Sequence, residues 1–206
     1  MPRTSFALFR AMRSHRIDIP SAYTSHETGR PNACNLCHLD KSLAWTAEKM
    51  RDWYGEKQAA DDQKSTAIPA DTVAASVVWL LNGDAAQRIV TAWHYGWKPA
   101  QEVSGTEWEA PLLGQLLNDS YSAVRLVAGR SLKTLEGMSE LKFDFIAPAS
   151  ERQSAVNQAM EIWRRTPRSP LADGEAVLQG KSGELDEARM KQLLQAQDRR
   201  PVIITE

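Results

Sequence analysis

Both cysteines of the chain fall within one short stretch, Pro31-Asn32-Ala33-Cys34-Asn35-Leu36-Cys37-His38. They are spaced C-x-x-C and followed at once by a histidine, which is the attachment pattern for a c-type haem. The chemistry accounts for the spacing. Each thiol adds across one vinyl group of the macrocycle, so the two sulfurs must sit about one helical turn apart. The next residue then falls beneath the ring, where an imidazole nitrogen binds the iron as proximal ligand. Covalent haem c held by Cys34 and Cys37, with iron on His38, is therefore the leading expectation.

Two rival chemistries use the same residues. A C-x-x-C pair can be a redox-active dithiol, but that motif normally sits beside a βαβ pattern, and none is visible here. It can also be half of a zinc site, which needs two further ligands. There is no second C-x-x-C, and besides His38 only His15, His26 and His94 remain. A helical scaffold with a structural zinc at Cys34 and Cys37 stays open as an alternative.

The bulk properties fit a folded, largely soluble-type chain. At 206 residues it suits one or two domains and can bury roughly 70% of its unfolded surface. Apolar residues make up 42% and the net charge is -1, which gives no argument for nucleic acid or an anionic membrane as partner. No apolar run approaches the roughly 20 residues that span a bilayer. Seven tryptophans suit both haem packing and a helical core.

The beginning of the chain poses a question, because covalent haem is normally attached outside the cytoplasm. Met1 to Arg16 lacks an apolar export core, and it carries Arg3, Arg10, Arg13 and Arg16 with no acid before Asp18. Taken alone, that pattern passes for a mitochondrial transit peptide. Residues 1 to 30 read as mostly irregular, punctuated by Pro2, Pro20, Gly29 and Pro31.

A helix is expected over Leu39 to Tyr54, with Leu39, Leu43, Ala47, Met50 and Tyr54 on one stripe. Trp45 points away from that stripe, toward a haem or toward solvent. Gly55 ends the helix, and residues 57–69 form a polar linker. The sequence thus divides into a haem-binding segment at 1–56, the linker, and a helical domain at 70–206. In the latter, Asp71 to Leu81 reads as a buried helix, and Asp84 caps a helix running to Tyr95. Trp97-Lys98-Pro99 reads as a break, followed by helices over Gly105 to Leu117, Ser122 to Leu135, Ser150 to Arg164 and Leu185 to Gln195. Leu81-Asn82-Gly83-Asp84 with Arg88 parallels Leu117-Asn118-Asp119 with Arg125, at a spacing of about 35 residues. The expected fold is all-α: an irregular haem-binding N-terminal segment followed by a HEAT-like α-solenoid of helix pairs.

The segment Pro31-Asn32-Ala33-Cys34-x-x-Cys37-His38-Leu39-Asp40-Lys41-Ser42, with Trp45 and Trp53-Tyr54-Gly55 after it, resembles the C-terminal part of bacterial HEAT- or TPR-linked multihaem c-type cytochromes. Leu116-Leu117-Asn118-Asp119-Ser120-Tyr121-Ser122-Ala123-Val124-Arg125 and the closing Arg200-Pro201-Val202 are similar to the same proteins. In that family an earlier attachment motif is commonly followed by Met-Pro and then by His-x-x-x-x-Pro, matched here by Met1-Pro2 and by His15 with Pro20. The resemblance implies that Met1 is an internal methionine, that an upstream haem domain and signal peptide precede it, and that the protein is periplasmic.

Candidates for a second axial ligand are His15, His26, His94, Met12 and Met50. His15 comes first, as distal ligand or as ligand of an upstream haem, with His26 behind it and His94 read as a core or surface residue. Met12 would raise the potential relative to a bis-His pair. The expected function is single-electron transfer to a redox partner protein or neighbouring haem domain, with the helices as docking platform. The enzymatic alternative is part of a multihaem oxidoreductase acting on a small oxyanion, which would want an open iron and a compact cluster of Arg, Lys, Tyr or His.

Overall fold

The computed structural model describes residues 2–7, 10–13, 19–55, 72–167, 171 and 174–200. The described chain is mostly helical. It opens with a small antiparallel hairpin, β1 (Ser5–Ala7) and β2 (Arg10–Met12), with Ser5 opposite Met12 and Ala7 opposite Arg10. Helix α1 follows at Ala22–Thr28. Among the described residues of the first 30, the expectation of mostly irregular backbone is thus corrected at the two paired strands and at α1. The reason for α1 is local: the Ser21 hydroxyl accepts the Thr24 N–H at 3.1 Å, and Gly29 closes the helix with φ of 69°, a conformation glycine adopts without strain.

Helix α2 spans Leu43–Tyr54 rather than starting at Leu39. Ser42 caps it by accepting the Trp45 N–H at 3.2 Å, and the residues before the cap form separate turns. Ala47 and Met50 are buried as the stripe predicts, whereas Tyr54 is 57% exposed.

Helices α3 (Ala75–Leu81) and α4 (Ala85–Tyr95) form a pair around the Asn82-Gly83-Asp84 turn. The turn ends in a reciprocal cap. Asp84 Oδ1 accepts the Gln87 N–H at 2.8 Å, and Gln87 Oε1 accepts the Asp84 N–H at 2.7 Å. Trp97-Lys98-Pro99, read as a break, in fact starts helix α5 (Lys98–Ser104). Proline is tolerated in a first turn because its missing N–H has no partner to lose there. Gly105, at φ of 71°, ends α5 instead of beginning the next helix.

The second pair is α6 (Glu109–Gln115), prolonged by a 3₁₀ turn over Leu116–Asn118, and α7 (Ser122–Leu132). Helix α8 (Ala149–Arg165), a 3₁₀ turn over Gly174–Val177 and helix α9 (Glu187–Gln195) complete the described elements. Helix α6 lies between α3 and α8, while α4 packs on α7, so the elements form two layers. Between them lies an apolar core that includes Leu80, Leu81, Leu112, Leu113, Leu117 and Leu132.

The two helix pairs are tied by a buried ion pair. Arg88 on α4 donates from Nε to Asp119 Oδ2 at 2.8 Å and from Nη2 to Asp119 Oδ1 at 3.2 Å. Arg125 on α7 reaches the carbonyls of its own preceding turn, Asp119 O at 2.7 Å and Ser120 O at 3.0 Å. Each arginine therefore satisfies turn carbonyls, and Arg88 additionally takes the acid of the following turn.

Candidate functional site

The Cys34–His38 stretch is a single tight turn closed on one carbonyl. Cys34 O accepts the Cys37 N–H at 3.1 Å and the His38 N–H at 2.8 Å. Bonds of this i+3 and i+4 kind put positions 34, 37 and 38 on one side. The burial pattern agrees. Asn35 and Leu36, the two residues between the cysteines, are 0% exposed, while Cys34, Cys37 and His38 are half-buried at the surface. Both cysteines are free thiols.

What holds the turn is a polar network centred on Asn35. Its side-chain Nδ2 donates to Lys41 O at 2.8 Å and Ser42 O at 3.2 Å, and its Oδ1 accepts from Asn32 Nδ2 at 2.9 Å and from the Thr46 hydroxyl at 2.7 Å. Asn32 Oδ1 in turn accepts the Asn35 N–H at 3.0 Å. The back of the turn is seated on the helical layers. Leu36 and Leu39 enter the main core, each contributing about 2 kcal/mol of apolar burial. Ser104 at the end of α5 accepts the Leu39 N–H at 2.8 Å and donates to Cys37 O at 3.1 Å. Ser76 on α3 donates to Leu39 O at 2.5 Å and lies 3.0 Å from the Tyr95 hydroxyl.

These supporting residues escape a motif search. Only the repeated asparagines, at turn-compatible spacing after Pro31, hint at their role in the sequence. Ser76 and Ser104 carry no local signal, because their partners lie far along the chain.

Burial pushes both thiols up, and the neighbouring Cys37 sulfur adds to the effect on Cys34. A dithiol oxidoreductase needs the opposite, a thiolate stabilised at neutral pH. Burial also holds the His38 imidazole below its ordinary range, which favours the neutral form that carries a ligating lone pair. Among the described residues no group of three or more His, Cys, Asp and Glu side chains is arranged to hold a metal ion. The residues present fit a c-type haem: two half-buried free thiols and an imidazole held toward its neutral form on one face of a turn whose other face is anchored.

Trp45, on the first turn of α2, lies against the histidine, with ring centroids 4.8 Å apart and planes tilted by 44°. It also lines a cleft of about 400 Å³ together with Asp40, Lys41, Gln179 and Lys181. Gln179 is 2% exposed, and among the described residues its side-chain amide makes no hydrogen bond, nor does Asp40 Oδ1.

The proposed second ligands disperse. His26 sits exposed on α1 and lines a different cleft of about 420 Å³, bordered by Leu43, Val78, Trp79, Asp198 and Arg200. No hydrogen bond or ring contact joins it to His38 among the described residues. Met12 is 41% exposed on β2, and Met50 is buried within α2. His15 lies outside the described residues, as do the 57–69 linker and the tail after Arg200. His94 is fully buried, with Nδ1 2.8 Å from Val90 O and Nε2 accepting the Arg3 N–H at 3.2 Å. Trp93 and Trp97 flank its ring, and the Arg3 guanidinium lies over Trp93. Both His94 nitrogens are thus engaged, Nδ1 within α4 on Val90 O and Nε2 in fastening the N-terminal segment to that helix.

No helix among the described residues is long and apolar enough to cross a membrane. No family model matches the chain, and no curated protein or solved structure matches it significantly.

Proposed function

We propose that the chain is a c-type cytochrome module that carries one covalent haem on Cys34, Cys37 and His38 and transfers single electrons. The observation that carries this reading is the division of the Cys34–His38 turn into an anchored inner face, Asn35 and Leu36, and an open outer face with both thiols and the imidazole. Cys34 and Cys37 would hold the haem, each through one S–C bond to a vinyl carbon with the thiol hydrogen going to the adjacent carbon, and His38 would ligate the iron. When bound, the haem supplies a one-electron Fe(III)/Fe(II) couple tuned by its axial ligands and surroundings. Asn35, Ser104 and Ser76 keep the turn from moving, and Leu36 and Leu39 fix its distance from the helical layers.

The helical part is a HEAT-like solenoid in this reading, serving as a docking platform for a redox partner protein or a neighbouring haem domain. The α3–α4 and α6–α7 pairs, their layered stacking and the arginine at the start of each second helix support it. The likeness of the attachment segment to multihaem cytochromes supports a place beside further haems and maturation in the periplasm. Carbon monoxide and cyanide titrations of the haem-loaded protein test the electron-transfer role. A six-coordinate iron resists both ligands, whereas an open iron that binds them readily favours reduction of a small oxyanion. Recovery of stoichiometric zinc on Cys34 and Cys37 instead of haem returns the scaffold alternative.

A further inference from the structure

The Asn35 network and the His38–Trp45 contact share a segment. Asn35 Nδ2 holds the carbonyls of Lys41 and Ser42, at 2.8 and 3.2 Å. Ser42 Oγ then caps α2 on the Trp45 N–H at 3.2 Å. Thr46, the next residue, returns its hydroxyl to Asn35 Oδ1 at 2.7 Å. The start of α2 is therefore clamped from both sides by a residue inside the attachment motif. The indole it carries lies 4.8 Å from the imidazole of the last residue of that motif. A half-exposed histidine on a turn ordinarily rotates about its side-chain bonds; here a bulky ring, fixed by a capped and cross-braced helix start, restricts it.

We propose that Trp45 is a positioning residue that sets the plane of the His38 imidazole, with the Asn35 clamp fixing Trp45. This rests on the haem reading for its consequence but not for its geometry. With iron on His38, the imidazole plane governs overlap with the metal orbitals, and hence the rhombic splitting of the ferric EPR spectrum. Trp45 thus acts through the ligand.

Two measurements separate this inference from the haem assignment. In the haem-free protein, NMR should show the His38 ring protons shifted upfield by the indole ring current. That shift should disappear in Trp45→Leu and return, reduced, in Trp45→Phe. In the haem-loaded protein, Trp45→Leu should retain covalent haem while the EPR rhombicity changes, and Trp45→Phe should restore most of the wild-type spectrum. If the His38 protons are unshifted in the wild type, or indifferent to Trp45→Leu, the contact is absent and the proposal falls. An unchanged EPR spectrum in a fully haem-loaded Trp45→Leu protein also overturns it. Failure of haem attachment alone removes the function but leaves the NMR arm decisive for the positioning.

Discussion

Arg88 and Asp119 form a side-on bidentate pair, Nε to Oδ2 at 2.8 Å, with side chains 0% and 1% exposed. The remaining Arg88 donor, Nη1, reaches Gly83 O at 2.6 Å and Asp198 O at 2.9 Å, so one guanidinium joins the first turn, the second turn and the end of the described chain. Asp119 Oδ1 also accepts the Tyr121 N–H at 2.8 Å. Arg88→Met leaves that carboxylate buried without its cation, and should destabilise by about 3–5 kcal/mol. Urea denaturation measures this. Pairing it with Asp119→Leu should recover a large part of the loss, because the unpaired charge is then removed; equal or greater loss in the double variant contradicts the account.

His94 gives the protein an acid-sensitive element. Burial is the main cause that lowers its pKa to about 4, against 6.5 for the free side chain. The unfolded chain therefore takes up this proton first, so stability is intact above about pH 6.5 and is lost as pH falls toward 4. The loss approaches about 3 kcal/mol at pH 4. His94→Gln should flatten the dependence of unfolding free energy on pH in that window, and should loosen the Arg3 segment at all pH values.

Glu109 acts in the opposite direction. It is 0% exposed, both carboxylate oxygens lack a hydrogen-bond partner among the described residues, and burial pushes its pKa well above 4.5. The folded state holds the proton more tightly than the unfolded state, so its contribution is present below about 4.5 and lost as pH rises. Glu109→Gln keeps the shape and removes the ionisation. Thermal melts should show the variant close to wild type at pH 4 and more stable at pH 8; equal behaviour at both pH values would remove Glu109 as the source.

Asn35 links the fold to the site. Asn35→Ala removes the acceptor of the buried Thr46 hydroxyl and one partner each from the Asn32 amide and the carbonyls of Lys41 and Ser42, which keep Ser25 Oγ, the Ala75 N–H and the Thr46 N–H. An unmet buried hydrogen bond costs about 1–3 kcal/mol and a lost satisfied one about 1 kcal/mol. Partial hydration will reduce the sum, and we expect a loss of about 3 kcal/mol by urea denaturation. Haem yield per milligram of protein should fall as well. A variant of unchanged yield and stability would show that the turn is held without the Asn35 network.

The helical character and most elements are legible in the residues themselves. Asp84 announces α4, and the stripe through Val156, Met160 and Trp163 announces α8, because capping and periodicity are local properties. The turn over Cys34–His38 is legible for the same reason, its residues being consecutive. What escapes is set by tertiary context. Pro99 reads as a stop but starts α5, since a first turn tolerates it. Helix α1 hides because few of its residues are buried and no apolar stripe forms. The partners of Cys37 O and Leu39 O, Ser104 and Ser76, are separated from the turn by 67 and 37 residues. Neither spacing nor composition connects them. His94 carries the same lesson: only the fold reveals that Val90 O and Arg3 N–H occupy its two nitrogens.

The central claim is covalent attachment at Cys34 and Cys37. Protein matured in the periplasm with the cytochrome c assembly machinery should yield, on mass spectrometry, a peptide spanning Cys34 to His38 that carries the added mass of one haem. The adduct should vanish in the Cys34→Ala/Cys37→Ala double variant. A colourless product with both thiols unmodified, or one that holds a divalent metal at those sulfurs, would contradict it.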